Sequence, residues 1–207
     1  MDLQFYGANC LVASFKGARI VVDDNLTKLG AKSITKSDDV ALFTNQPDAT
    51  SDARLTFSSP GEYEVSDISI IGIPARAHMD EEKTQNATMY KLVVGDLTVL
   101  ITGHVFPELD ENQLEAIGMV DVMIVPVGGN GYTLDPVGAL KLIKDIEPKM
   151  IIPTHYADKA LKFDMPQQEL ANALKELGME PKEKVNKIKL KHGDIDEVMH
   201  LIVLEKA

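Results

Sequence analysis

The chain is patterned in short apolar runs broken by glycine, proline and Asx residues, which predicts many strands and few long helices. In the first half, Leu3–Tyr6, Cys10–Phe15 and Ala18–Asp23 are separated by Gly7-Ala8-Asn9 and Lys16-Gly17, a pattern that predicts a meander of hairpins. Asp24–Asp39 is polar around Gly30 and predicts a loop with at most one weak helical turn. Val40–Phe43, Leu55–Ser58, Gly61–Val65 and Ile68–Ile73 continue the strands. Asp80-Glu81-Glu82 reads as a solvated loop, and Met89–Val94 with Leu97–Ile101 forms a hairpin over Gly95-Asp96.

The second half alternates helix and strand. Asp110 with Gln113 three residues on, and Gly118 beyond, marks a capped short helix. Asp135-Pro136 opens a second helix reaching Ile146, with Leu140 and Ile143 on one face. A third is predicted over Pro166–Leu177, stopped by Gly178. Val122–Val127, Met150–Pro153, Lys187–Leu190 and His200–Leu204 read as strands. Strands first and alternation afterwards predicts two packed sheets with helices outside, in one domain over 1–207.

Charge narrows the partners. Lys and Arg number 21 against 32 Asp and Glu, a net charge of −11, which argues against a broad nucleic-acid footprint. The single cysteine, Cys10, excludes an intrachain disulfide and a Cys-rich metal site and reads as a small buried hydrophobe. Neither a leader pattern nor a membrane-length apolar run is visible, so a cytoplasmic setting without membrane contact is expected.

Three strands end close to histidines. Met150–Pro153 leads to His155, Ile68–Ile73 runs through Pro74 to His78, and Leu97–Ile101 runs through Thr102-Gly103 to His104. Neutral imidazoles that converge can hold zinc with a position left open for water. Spacing alone favours the plainer reading, in which each caps a strand end or meets solvent independently, because none has an i, i+2 or i, i+4 partner. Gly128-Gly129-Asn130-Gly131 follows a strand and could cradle an anion, though a flexible loop is the simpler reading. Glu62 and Glu64 alternate on one strand face, expected to be the solvent face. Asp23 and Asp24 are ambiguous in the same way. Met79, Met89, Met119, Met123 and Met150 are expected to fill the core. Gly-x-Ser-x-Gly is absent, so a serine-hydrolase elbow has no support.

The order of motifs resembles the metallo-β-lactamase superfamily, in particular its small bacterial zinc-dependent hydrolase branch related to ascorbate-6-phosphate lactonases. The residues carrying the resemblance include Tyr6-Gly7-Ala8-Asn9-Cys10, Ile20–Asp23 and Ser59-Pro60-Gly61-Glu62-Tyr63-Glu64-Val65. Further on they include Ile71–Pro74 through His78-Met79-Asp80-Glu81, Asn86–Tyr90, Thr102-Gly103-His104, Val125–Gly129 and Ile151–Tyr156. The resemblance implies an α/β fold, the αβ/βα four-layer sandwich, with a metal site on one edge between the sheets.

Carried over residue by residue, the resemblance implies a depleted site. The family's His-x-His-x-Asp-His motif should follow Val40–Phe43, where this chain has Asn45, Pro47, Ala49 and Thr50 at the ligand positions. His78 and His155 match later ligand histidines. His104 stands where the bridging aspartate is usual, and Asn9 where histidine is frequent. The main expectation is a degenerate member that lacks dinuclear zinc chemistry and binds a small-molecule ligand or a protein partner, itself included as a homo-oligomer. The alternative is a metal-dependent hydrolase with one zinc or other divalent ion on His78, His104 and His155, completed by Asp48 or water. Asn45, Asp48 and Tyr156 are expected to line the cleft.

Overall fold

The computed structural model describes residues 1–46, 51–82, 84–131 and 133–207. The first sheet begins with β1 (Asp2–Gly7), β2 (Cys10–Phe15), β3 (Ala18–Val22), β4 (Val40–Leu42) and β5 (Leu55–Phe57). The second takes β6 (Gly61–Val65), β7 (Ile68–Ala75), β8 (Ala87–Val94) and β9 (Leu97–Ile101). Then α1 (Glu111–Ile117), β10 (Val122–Pro126), α2 (Pro136–Ile146), β11 (Met150–Thr154), α3 (Leu170–Leu177), β12 (Pro181–Val185), β13 (Ile188–Lys189) and β14 (His200–Leu204) complete the chain. The six-stranded sheet runs β13-β1-β2-β3-β4-β5, and the eight-stranded sheet β12-β14-β11-β10-β9-β8-β7-β6.

Alternation explains how the sheets face each other. Leu3, Phe5, Leu11, Ala13, Ile20 and Val22 project from the six-stranded sheet into a buried layer with Ile70, Leu92, Val99 and Ile124. The other face of the eight-stranded sheet carries Met89, Leu100, Met123, Val125 and Ile151, which pack against Ile117, Leu142, Ile143 and Leu177 of the helices. This double coverage is why β10 and β11 are buried at every position. The fold class is the expected one, but the outer layer over the six-stranded sheet is made of loop. Leu26, Leu29, Ile34, Leu161 and Phe163 cover Cys10, Val12 and Val21 there. Cys10 is buried as expected, and burial pushes its thiol pKa well up.

Local chemistry sets the helix starts. The Asp110 carboxylate accepts from Gln113 N–H at 2.8 Å, and Gln113 Oε1 accepts from Asp110 N–H at 2.9 Å. Gln113 Nε2 also donates to Pro74 O at 2.8 Å, which pins α1 to β7. Asp135 caps α2 by accepting from Gly138 N–H, and Leu142 and Ala139 join Ile143 on its buried face.

The third helix starts at Leu170, four residues later than the sequence predicts. Gln168 N–H donates to Gly128 O and Ala157 N–H to Gln168 O, both at 2.8 Å, so this stretch is used to cross-link two loops. β12, Pro-Lys-Glu-Lys-Val, escapes sequence reading because it is a polar edge strand with little alternation. Met79 (63% exposed) and Met119 (94%) lie on the surface, in place of the expected core. Glu62 and Glu64 are exposed as expected. No described helix is long and apolar enough to cross a membrane.

Candidate functional site

A cavity of about 350 Å³ opens where strand ends of the two sheets meet. Its floor is built from Asp23 after β3, Thr44 after β4, His104 after β9 and His155 after β11. Asn9, following β1, completes it from the six-stranded sheet.

Three polar links tie the floor together across the sheets. Thr88 N–H donates to Thr44 O at 2.8 Å and His155 N–H to Ala8 O at 2.8 Å. Thr154 Oγ1 donates to Asn9 Oδ1 at 2.9 Å. Ala8, Asp23 and His155 all line the cavity with φ between 48° and 52°, a left-handed conformation that is costly for residues other than glycine. Such strain persists only where the surroundings over-determine it.

Two glycines allow the close approaches. At Gly103 (φ +62°) a Cβ would stand 2.4 Å from Thr44 Oγ1, and at Gly128 it would stand 2.0 Å from His155 O. The sequence reading of Gly128–Gly131 as a flexible loop or anion cradle therefore misses a packing role: Gly128 makes room for the His155 backbone.

Asp23 is buried, and both of its oxygens are taken by Thr44. Oδ1 accepts from Thr44 N–H at 2.7 Å and Oδ2 from Thr44 Oγ1 at 2.6 Å. Burial raises its pKa from 3.8 to about 6, against the two hydrogen bonds that favour the charged form. The sequence left Asp23 ambiguous, and only the fold shows that it holds the β4 end in place.

The histidines sit in a dry environment. His104 and His155 rings meet edge to face with centroids 4.2 Å apart, and Phe163 packs on His155 at 5.1 Å. Burial lowers the His104 pKa well below the usual value, helped by His155 and His78 nearby. Burial likewise lowers His155 to about 4, although Gln167 opposes the shift. Both imidazoles are therefore neutral near pH 7. His155 Nδ1 stands 3.1 Å from Gln167 Oε1, while Gln167 Nε2 donates to Met165 O. That amide orientation assigns the proton to Nδ1 and leaves Nε2 with a lone pair. His78 is held by its backbone, whose N–H donates to His104 O at 2.9 Å.

His104 and His155 line the cavity, and His78 is adjacent to His104 without lining it. Asn45 lines it as expected, whereas Asp48 lies outside the described residues. Tyr156 is not among the lining residues. Its ring lies against Phe5 and its hydroxyl points to Leu204 O, so it is a packing residue between sheet and C-terminal strand. Sequence reading missed Gln167, Phe163 and Thr44, none of which has a motif of its own.

The profile of the beta-lactamase superfamily domain matches residues 2–155. The chain belongs to that superfamily. A metal-dependent hydrolase of Carboxydothermus hydrogenoformans is 39% identical over 71 residues, 34% of this chain and 31% of that protein. One from Thermococcus onnurineus is 28% identical over 99 residues, 46% of this chain and 44% of the other. The match thus spans less than half the length of these curated relatives. Among solved structures, a Thermotoga maritima protein assigned to the Zn-dependent hydrolases of the metallo-beta-lactamase superfamily superposes with TM-score 0.74 at 25% identity. That match covers 99% of this chain and 98% of the other. A metallo hydrolase from Ignicoccus hospitalis shares the fold at TM-score 0.59 and 15% identity.

The family's metal can be tested against the residues present. Among the described residues of the loop after β4, Thr44, Asn45 and Gln46 offer no imidazole or carboxylate for a second ion. Among the described residues no three His, Cys, Asp or Glu side chains are gathered closely enough to hold an ion. One ion fits the donor chemistry better. Nδ1 and Nε2 of His104 and Nδ1 of His78 are buried without a hydrogen-bond partner among the described residues, an arrangement native proteins seldom leave unused.

Proposed function

We propose that the chain is a metal-dependent hydrolase that works from this cavity with one divalent ion on His104 and His155, His78 closing in as third donor on binding, because the three are not gathered in this structure. The observation carrying this reading is the set of orphaned imidazole nitrogens on His104 and His78. Leaving such groups buried and unpaired costs roughly 1–3 kcal/mol each unless something else binds them. The relatives' description as metal-dependent hydrolases supports it over a purely non-catalytic protein.

A divalent ion bound there supplies a water acidic enough to ionise near neutrality. The rest is done by the chain. Gln167 fixes the His155 tautomer that leaves Nε2 available, and burial keeps both cavity histidines unprotonated, as ligands must be. Asp23, both of whose oxygens are taken by Thr44, positions the β4 end of the cavity beside the histidines.

Metal-stripped protein, reloaded with Zn²⁺ and measured by native mass spectrometry, should hold one ion per chain. His104→Ala and His155→Ala should each lose it, and chelator should abolish turnover of a generic neutral ester or lactone. Two ions per chain, or unchanged retention in both variants, would overturn the assignment. A second reading, ligand or partner binding without metal, is favoured by the ungathered donor set. It predicts no ion bound and a melting temperature indifferent to Zn²⁺.

A further inference from the structure

The cavity rim points to a substrate class. Above the histidine floor, Asn25 and Asn45 are part-buried and Gln46 is exposed, and all three line the opening. None of their carboxamides has a hydrogen-bond partner among the described residues. Each offers a donor pair and an acceptor in one plane, which suits carbonyl and hydroxyl groups. The lining also includes the apolar side chains of Leu29, Phe163 and Met165.

Before any ion is bound, charge among the described lining residues is unfavourable for anions. The one Lys or Arg among the described lining residues is Lys28, which lies 3.8 Å from the Asp164 carboxylate. With Asp23, the described lining residues include two carboxylates and one ammonium, on a chain of net charge −11. Phosphate and carboxylate sites instead present forked arginines, clustered lysines or converging backbone N–H groups. A cavity of about 350 Å³ is at the small end for a ligand pocket.

We infer that this site takes a small uncharged compound, with a flat apolar body against Phe163 and carbonyl or hydroxyl groups on the Asn25–Asn45–Gln46 side. The inference deepens the hydrolase reading by naming its substrate class, but it is tested without catalysis. The probes are 3,4-dihydro-2-quinolinone, a neutral and hydrolytically inert lactam, and phenyl phosphate of similar size. Binding to metal-stripped protein is followed by ligand-observed NMR and calorimetry.

The lactam should bind saturably, at least tenfold more tightly than phenyl phosphate. Phe163→Ala and Asn45→Leu should each weaken it fivefold or more, with circular dichroism confirming that both variants are folded. Val137→Ala, on the exposed face of α2, should leave binding unchanged. Tighter binding of phenyl phosphate, or lactam binding indifferent to both variants, would overturn the inference. Failure of the metal experiment above leaves this outcome untouched, so the two readings fall separately.

Discussion

Replacing Asp23 by asparagine isolates the cost of one buried charge. The carboxylate is 6% exposed and receives two hydrogen bonds from Thr44. Asparagine is nearly isosteric and keeps both: its Oδ1 accepts from Thr44 N–H, and its Nδ2 donates to Thr44 Oγ1. In the wild type, folding raises the pKa of Asp23 from 3.8 to about 6. At this site the folded state therefore binds more protons than the unfolded state between those values, and the Asp23 contribution to stability falls as pH rises through that window. A rise of about two pH units corresponds to roughly 3 kcal/mol, fully present below pH 4 and lost above about pH 6.

Asp23→Asn removes that dependence. Relative to wild type, the metal-free variant should gain stability progressively from pH 4 to pH 6.5, by up to about 3 kcal/mol. Urea denaturation at pH 4, 5, 6.5 and 8 measures this. Histidine titrations contribute equally to both proteins and cancel in the difference. A variant less stable than wild type by the same amount at every pH would refute the reasoning, because the carboxylate would then be wanted in its charged form.

Other outcomes follow from the same geometry. Gly128→Ala should destabilise by about 3 kcal/mol or more, since its Cβ would sit 2.0 Å from His155 O; thermal unfolding checks it. In metal-free Asp23→Asn, where the opposing Asp23 contribution is gone, stability should fall as pH drops from 6.5 towards 4, because the unfolded state takes up the proton that folded His155 refuses. His155→Gln should flatten that acid limb in the same denaturation series. Gln113→Ala leaves the Asp110 cap on the Gln113 backbone N–H but removes the reciprocal half of the capping box and the tie to Pro74 O. It should cost about 1–2 kcal/mol, read from the urea midpoint.

Much of the fold was legible because burial writes a clear pattern. Cys10–Phe15, Gly61–Val65 and Leu97–Ile101 were bounded correctly by turn residues alone, and the Asp110/Gln113 capping box located α1. The start of α3 was not legible, because Gln168 spends its backbone on Gly128 and Ala157, partners remote in sequence. β12 was hidden because an edge strand rich in lysine need not alternate. At the site, strand-end histidines could be seen in the sequence, but their grouping could not. That His104 meets His155 while His78 stays outside the cavity depends on how the sheets align. Nor can a sequence show that Tyr156, beside His155, turns into the core.

The three links across the floor of the cavity bear on how the molecule opens. Thr88 to Thr44, His155 to Ala8 and Thr154 to Asn9 each join one sheet to the other. No sliding of one sheet over the other can spare them. The amide protons of Thr88 and His155 should therefore exchange with deuterium only when the whole sandwich comes apart, at rates matching those of the central strands. A binding site is commonly the first region of a protein to breathe. Here it would be among the last.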